Sequence, residues 1–135
     1  MKYLCTIYGD ESQMANATPE QVNAMLEAYG AFGQEAGDAI LGGEGLQPTS
    51  TATTVRVRDG ERMLTDGPFA ETKEQLGGFY LLECNSLDEA IELAAKIPGA
   101  QFGSVEVRPV MNYDGAGAED AQQSAAAHNE PLPAR

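Results

Sequence analysis

Apolar residues recur along this chain with two periods, and the order of the resulting blocks predicts an architecture. Tyr3 to Tyr8 is apolar or β-prone throughout, is too short for a stable helix and ends at Gly9-Asp10, so it predicts a first strand. Thr18-Pro19-Glu20-Gln21 then carries a helix start: Thr18 can cap, Pro19 suits the first helical position and Gln21 can reach back to close a capping box. Val22, Met25, Leu26, Tyr29 and Phe32 follow at spacings of three and four, giving that helix one apolar face. Gly30 and Gly33 weaken its second half, and a stop is expected near Gly37. The next segment, Ala39 to Gly45, is rich in glycines that permit positive φ or close backbone approach, and no strand is assigned to it.

Thr49 to Arg58 is rich in threonine and valine, and Asp59-Gly60 supplies a tight hairpin turn, so Glu61 to Thr65 is expected to return antiparallel. The loop Asp66 to Glu74 leads to a strand over Leu76 to Cys84, interrupted early by Gly77-Gly78. Ser86-Leu87-Asp88-Glu89 reads as a second capping box, and the apolar positions up to Ile97 make a second helix that ends at Pro98. Ser104 to Val110 alternates as a half-buried strand. Together these elements predict an α+β domain of ferredoxin-like β-α-β-β-β-α-β order over residues 1–110, with helices on one face of an antiparallel sheet. Beyond Val110 the composition turns to Ala, Gln, Gly and Asp, so residues 111–135 read as a low-complexity, disordered tail.

Period two assigns the sheet faces. Val105, Val107 and Pro109 share a face opposite Glu106 and Arg108; Tyr80, Leu82 and Cys84 oppose Phe79, Leu81 and Glu83; Tyr3, Cys5 and Ile7 oppose Leu4, Thr6 and Tyr8. The first member of each set is expected to meet the helices. The second face mixes Leu4, Phe79 and Leu81 with Glu83, Glu106 and Arg108, too apolar for a solvated face and too charged for a dry core. Either it pairs with a second sheet and leaves a polar cleft, or it is a wet face whose charges pair across strands.

Composition narrows the function classes. The 135 residues are 42% apolar and 21% charged, an ordinary globular balance for a single domain. The formal charge of −13 repels a phosphate backbone, so nucleic acid is not an expected partner. The amino terminus lacks a signal-peptide pattern and no apolar run approaches the roughly 20 residues that span a bilayer, so a cytoplasmic protein without membrane association is expected. Cys5 and Cys84 have no metal-site spacing and read as buried, reduced thiols, a redox pair being open only if they meet in the fold. The single histidine, His128, lies in the tail, so Ser-His-Asp and Cys-His mechanisms lack their base, and no haem, zinc or nucleotide motif is present. Neither metal nor cofactor is expected.

Asp66-Gly67-Pro68-Phe69, continuing as Ala70-Glu71-Thr72-Lys73-Glu74-Gln75-Leu76-Gly77-Gly78-Phe79-Tyr80, resembles the YCII-related family in its DGPF branch. Tyr8-Gly9-Asp10-Glu11, Gly42-Gly43-Glu44-Gly45-Leu46, Thr53-Thr54-Val55-Arg56, Leu87-Asp88-Glu89-Ala90 and Val105-Glu106-Val107-Arg108-Pro109 extend the resemblance from about Met1 to Val110. It implies a dimeric α+β barrel in which two ferredoxin-like sheets face each other, and it implies no particular reaction. Characterised relatives of the superfamily carry a histidine in the first helix and an aspartate before a proline after the second. Here the first helix has no histidine and Ile97 precedes Pro98.

Within such a cleft, a carboxylate partly desolvated near others has raised proton affinity, so Asp66 and Asp10 are the candidate general acid or base. Tyr8, Glu44, Lys73 and Arg108 are candidate ligand contacts, with Lys73 or Arg108 holding an anionic group. Phe69 is expected to anchor the loop by burial. The competing role for Asp66 is a residue that hydrogen-bonds its own turn. The function these residues point to is a homodimer that binds a small organic molecule, with cofactor-free isomerase- or lyase-like chemistry. The alternative is a non-catalytic ligand sensor or regulatory partner, since the resemblance extends to proteins met beside alternative sigma factors.

Overall fold

The computed structural model describes residues 1–113, so all but the first three residues of the expected tail lie outside the described chain. Strand β1 (Lys2–Gly9) is followed by a short helix α1 (Glu11–Ala15), the long helix α2 (Pro19–Ala36) and strand β2 (Ile40–Gly45). A hairpin of β3 (Thr53–Arg58) and β4 (Glu61–Asp66) precedes β5 (Gln75–Glu83), helix α3 (Leu87–Lys96) and β6 (Ser104–Pro109). The main sheet is antiparallel in the order β2-β5-β1-β6, the ferredoxin-like arrangement, and β3-β4 forms a separate two-stranded sheet.

This corrects one element of the expected order. The hairpin does not supply the second and third strands of the sheet; the second is the glycine-rich β2, which pairs with β5 from Ile40↔Leu82 to Gly45↔Gly78. Its glycines leave few side chains for a periodicity to register, and one of them is sterically required. A Cβ on Gly43 would stand 2.6 Å from the Phe79 carbonyl oxygen and 2.8 Å from the Tyr80 ring. The Tyr80 ring therefore lies against bare backbone where any other residue would displace it.

The predicted faces are observed. Tyr3, Cys5, Leu82 and Cys84 are buried toward the helices with Phe32, Ala36, Ala90, Ala94 and Ile97, and Ile7, Tyr80, Val105 and Val107 pack around them. The helix starts form as their sequences dictate. The Thr18 hydroxyl accepts from Gln21 N–H at 3.1 Å while the Gln21 side chain accepts from Thr18 N–H at 2.9 Å, and Ser86 accepts from Glu89 N–H at 3.2 Å. Gly37, at φ 53°, ends α2.

Helix α2 is unevenly anchored. Its buried residues are Phe32 and Ala36, both near its C-terminal end. Further toward the N-terminus, Leu26 is 65% exposed and Met25 and Tyr29 are half-buried. The last turns are thus clamped to the core while the first turns stand off the sheet.

Both cysteines are free and buried. Burial, reinforced by Cys84, pushes the Cys5 thiol from 9.0 up to about 11, and burial raises Cys84, Tyr29 and Tyr80 as well. The folded chain holds the Cys5 proton where the unfolded chain releases it. Stability is therefore expected to be intact below pH 9 and to fall as pH rises toward 11. Denaturant midpoints across that window check this, and Cys5→Ala is expected to flatten the slope.

Candidate functional site

Because the first turns of α2 stand away from the sheet, a cleft of about 1460 Å³ opens between them. Phe32, Tyr29 and Tyr80 give it an aromatic wall: the Phe32 and Tyr80 rings lie 5.1 Å apart between centroids, and Tyr29 stacks on Tyr80 at 6.5 Å. Gly99 belongs to this wall for a spatial reason. A Cβ there would meet the Tyr29 hydroxyl at 2.9 Å and Ile7 Cγ2 at 2.7 Å, so the missing side chain is what lets Tyr29 reach across to the turn before β6. Burial raises the proton affinity of both tyrosines, with the Gly99 backbone pulling Tyr29 the other way. At neutral pH both keep their hydroxyl protons.

Four carboxylates line the cleft, Asp10, Glu11, Glu35 and Glu44. Three are engaged. Asp10 is the N-cap of α1, accepting from the Ser12 N–H at 2.9 Å and hydroxyl at 2.6 Å, and these bonds lower its pKa. That corrects its expected role: an exposed, hydrogen-bonded cap favours the charged form, and no raised proton affinity suits it to general acid chemistry. Glu11 accepts from the Thr49 N–H and hydroxyl, each at 2.7 Å, while its own N–H donates to Gln75 Oε1 at 3.0 Å. Glu35 pairs with Lys96 at 2.8 Å, an exposed bridge from α2 to α3. Glu44, on edge strand β2, pairs with Phe79 and so turns its side chain to the face away from the helices, where its carboxylate has no hydrogen-bond or ion-pair partner among the described residues.

Of the residues the sequence singled out, Tyr8, Asp10 and Glu44 line this cleft. Asp66, Lys73 and Arg108 stand outside it. Arg108 lies opposite Leu4, at the far end of β6 from Ser104, which pairs with Tyr8. Its side chain is 77% exposed and 3.8 Å from Glu106. Asp66 is exposed at the end of β4, opposite Thr53. Its turn is held by others: Gly67 N–H donates to the Ala52 carbonyl at 2.7 Å, and the Thr54 hydroxyl donates to the Gly67 carbonyl at 2.8 Å. Lys73 is exposed on the following loop. Phe69, expected to be a buried anchor, is 79% exposed.

This hollow lies within a single chain, between α2 and the sheet, whereas the expected cleft lay between two sheets. Tyr29, Tyr80, Glu35 and Lys96 were missed as site residues. Their helical and strand spacings read as core, and only the stand-off of α2 gives their polar ends a common space.

No group of three or more His, Cys, Asp or Glu among the described residues is placed to hold a metal ion, and no described helix is long and apolar enough to cross a membrane.

Comparison with known proteins follows the same outline. An uncharacterised protein of Rhizobium meliloti (strain 1021) is 41% identical over 117 residues, which cover 84% of this chain and 94% of the relative. Among solved structures, the 5-chloro-2-hydroxyhydroquinone dehydrochlorinase of Burkholderia phenoliruptrix AC1100, in complex with 2,5-dihydroxybenzoquinone, shares the fold. Its TM-score is 0.50 at 14% identity, over 82% of this chain and 93% of that one. The YCII-related domain matches residues 1–114, and the chain belongs to that family.

Proposed function

We propose that the cleft between α2 and the sheet takes a small planar organic molecule bearing hydroxyl or carbonyl oxygens and promotes proton transfer on it without a cofactor, in isomerase- or lyase-like chemistry. The observation that carries this reading is the lining, where ring faces from Phe32, Tyr29 and Tyr80 share one space with two protonated phenols. Flat apolar walls fit a ring, and the tyrosine hydroxyls donate to its oxygens, which draws electron density from the ring and eases loss of a ring proton to water. A fold neighbour named a dehydrochlorinase and bound to a dihydroxybenzoquinone is consistent with that ligand class.

The probe is 2,5-dihydroxybenzoquinone, titrated by calorimetry. Tyr29→Phe removes one donor and keeps the ring, so it is expected to weaken binding by at least roughly tenfold, about 1.4 kcal/mol, with little change in Tm. Tyr80→Phe keeps the ring and is expected to slow exchange of the ligand's ring protons with deuterated solvent. Failure of the wild type to bind would sink the reading, and binding without any proton exchange would favour a ligand sensor.

The reading includes a homodimer built on the sheet face away from the helices. Leu4, Phe79 and Leu81 are partly exposed there beside Glu44 and Glu106, and pairing with the same face of a second copy would remove that apolar surface from water.

A further inference from the structure

We infer that the cleft favours a ring carrying an ionised oxygen, and that Lys96 receives this charge by exchanging its ion-pair partner Glu35 for the ligand. The inference rests on the cleft reading above and names the charge class of its ligand.

Tyr29, Phe32 and Glu35 recur at intervals of three on the face of α2 that lines the cleft. Glu35 therefore stands about 4.5 Å along the helix axis beyond Phe32, close to the breadth of one ring. Lys96, in the last turn of α3, meets it there, its Nζ donating to Glu35 Oε1 at 2.8 Å. Gly99, three residues on, leaves room for the Tyr29 hydroxyl because it has no side chain. A phenol, two ring faces and a cation thus border the cleft where α2 meets the end of α3. A ring resting on Phe32 and Tyr29 brings an edge oxygen toward the Lys96 and Glu35 pair.

Charge sets the preference. Lys96 is the one cationic side chain among the described residues that line the cleft, and the acidic Asp10, Glu11 and Glu35 share that lining in a chain of formal charge −13. An anionic ligand is repelled everywhere in the hollow except at Lys96, so the field that limits entry also fixes orientation. Asp10 and Glu11 are held by Ser12 and Thr49, whereas the bridge to Lys96 is free to open. Its two side chains are 51% and 57% exposed. An exposed Lys–Glu pair contributes little to stability, so exchanging one carboxylate for another anion costs little, while the ligand's ring gains burial. Glu35 first, and Glu92 one turn earlier on α3, hold Lys96 in its charged form, and Glu92 stays when Glu35 is displaced. Glu35 is thus an intramolecular competitor for the ligand's charge.

The test titrates the full chain with two quinones by calorimetry, at low and at high salt. 2,5-Dihydroxybenzoquinone is a vinylogous acid, ionised at neutral pH, and 2,5-dimethoxybenzoquinone is the same ring without charge. The wild type is expected to bind the ionised quinone at least roughly tenfold tighter at low salt, and added salt is expected to erode that preference. Lys96→Gln is expected to abolish it, Lys96→Arg to keep it, and Glu35→Gln to raise affinity for the ionised quinone by at least roughly threefold, with the dimethoxy compound bound alike by every variant. Opposite signs from the two ends of one ion pair separate competition for Lys96 from a bridge that only holds α2 to α3, whose loss from either end would weaken both quinones. Such parallel weakening, or equal affinity of the wild type for the two, overturns the inference and leaves the ring-binding cleft standing. If neither quinone binds the wild type, the cleft reading falls and the inference with it. Both side chains are exposed, so Tm is expected to stay within a degree or two in each variant, and a change in binding is not a change in folding.

Discussion

Leu82→Ala is expected to lower the folding free energy by about 3 kcal/mol, at every protein concentration, because it empties the centre of the core. Leu82 has 0% exposure, and it faces the helices with Ile97, Cys5 and Phe32. Removing three heavy atoms there loses their transfer energy and leaves a cavity that neighbouring β-sheet backbone cannot collapse to fill. For a domain of about 100 residues each kcal/mol moves Tm by roughly 4 to 8 °C, so a fall of well over 10 °C is expected by calorimetry. A change within a degree or two would mean that the helices do not pack on this face.

One residue away, Leu81→Glu is expected to do the opposite: leave Tm of the isolated chain little changed and raise the Kd of the proposed sheet-face dimer by at least roughly a thousandfold, about 4 kcal/mol. Leu81 pairs with Leu4 on one side and Gly42 on the other, on the face away from the helices. A carboxylate there is partly hydrated in the monomer and would be buried against the apolar Leu4 and Phe79 of the facing copy, beside sheets already carrying Glu44, Glu83 and Glu106. Light scattering and sedimentation across a dilution series measure it. If the variant associates like the wild type, the open face is not the contact. If it unfolds instead, the alternation of β5 has been misjudged, and the Leu82 result would disagree with it.

These two neighbours show why the fold was readable from the sequence. Alternation along β5 and β6 sorted Tyr80, Leu82 and Cys84 from Phe79 and Leu81 without structural help, and Thr18-Pro19-Glu20-Gln21 announced its helix by side-chain chemistry that operates within one turn. The Asp59-Gly60 turn was equally local, with φ of 53° and 77° at its two residues. Strand β2 was not readable, because Gly42, Gly43 and Gly45 carry no side chains to alternate and the strand exists through backbone pairing to β5. Asp66, Lys73 and Arg108 were grouped by their placement in an idealised order of strands, and none of the three lines the cleft between α2 and the sheet. Asp10 was misassigned for a different reason: an aspartate two residues before a serine reads equally as acid or as cap until the Ser12 bonds decide it.

The aromatic wall of the cleft also has an optical consequence. The chain contains no tryptophan and five tyrosines, and three of them, Tyr8, Tyr29 and Tyr80, border the cleft. Ultraviolet emission from this protein therefore arises from phenols alone, and most of those emitters stand where a ligand would sit. A bound quinone, which absorbs in the near ultraviolet, would quench them by contact and by energy transfer, whereas Tyr3, buried in the core, and Tyr113 give a remote background. The molecule thus carries its own occupancy gauge, with Tyr29→Phe and Tyr80→Phe dividing the signal between the two sides of the wall.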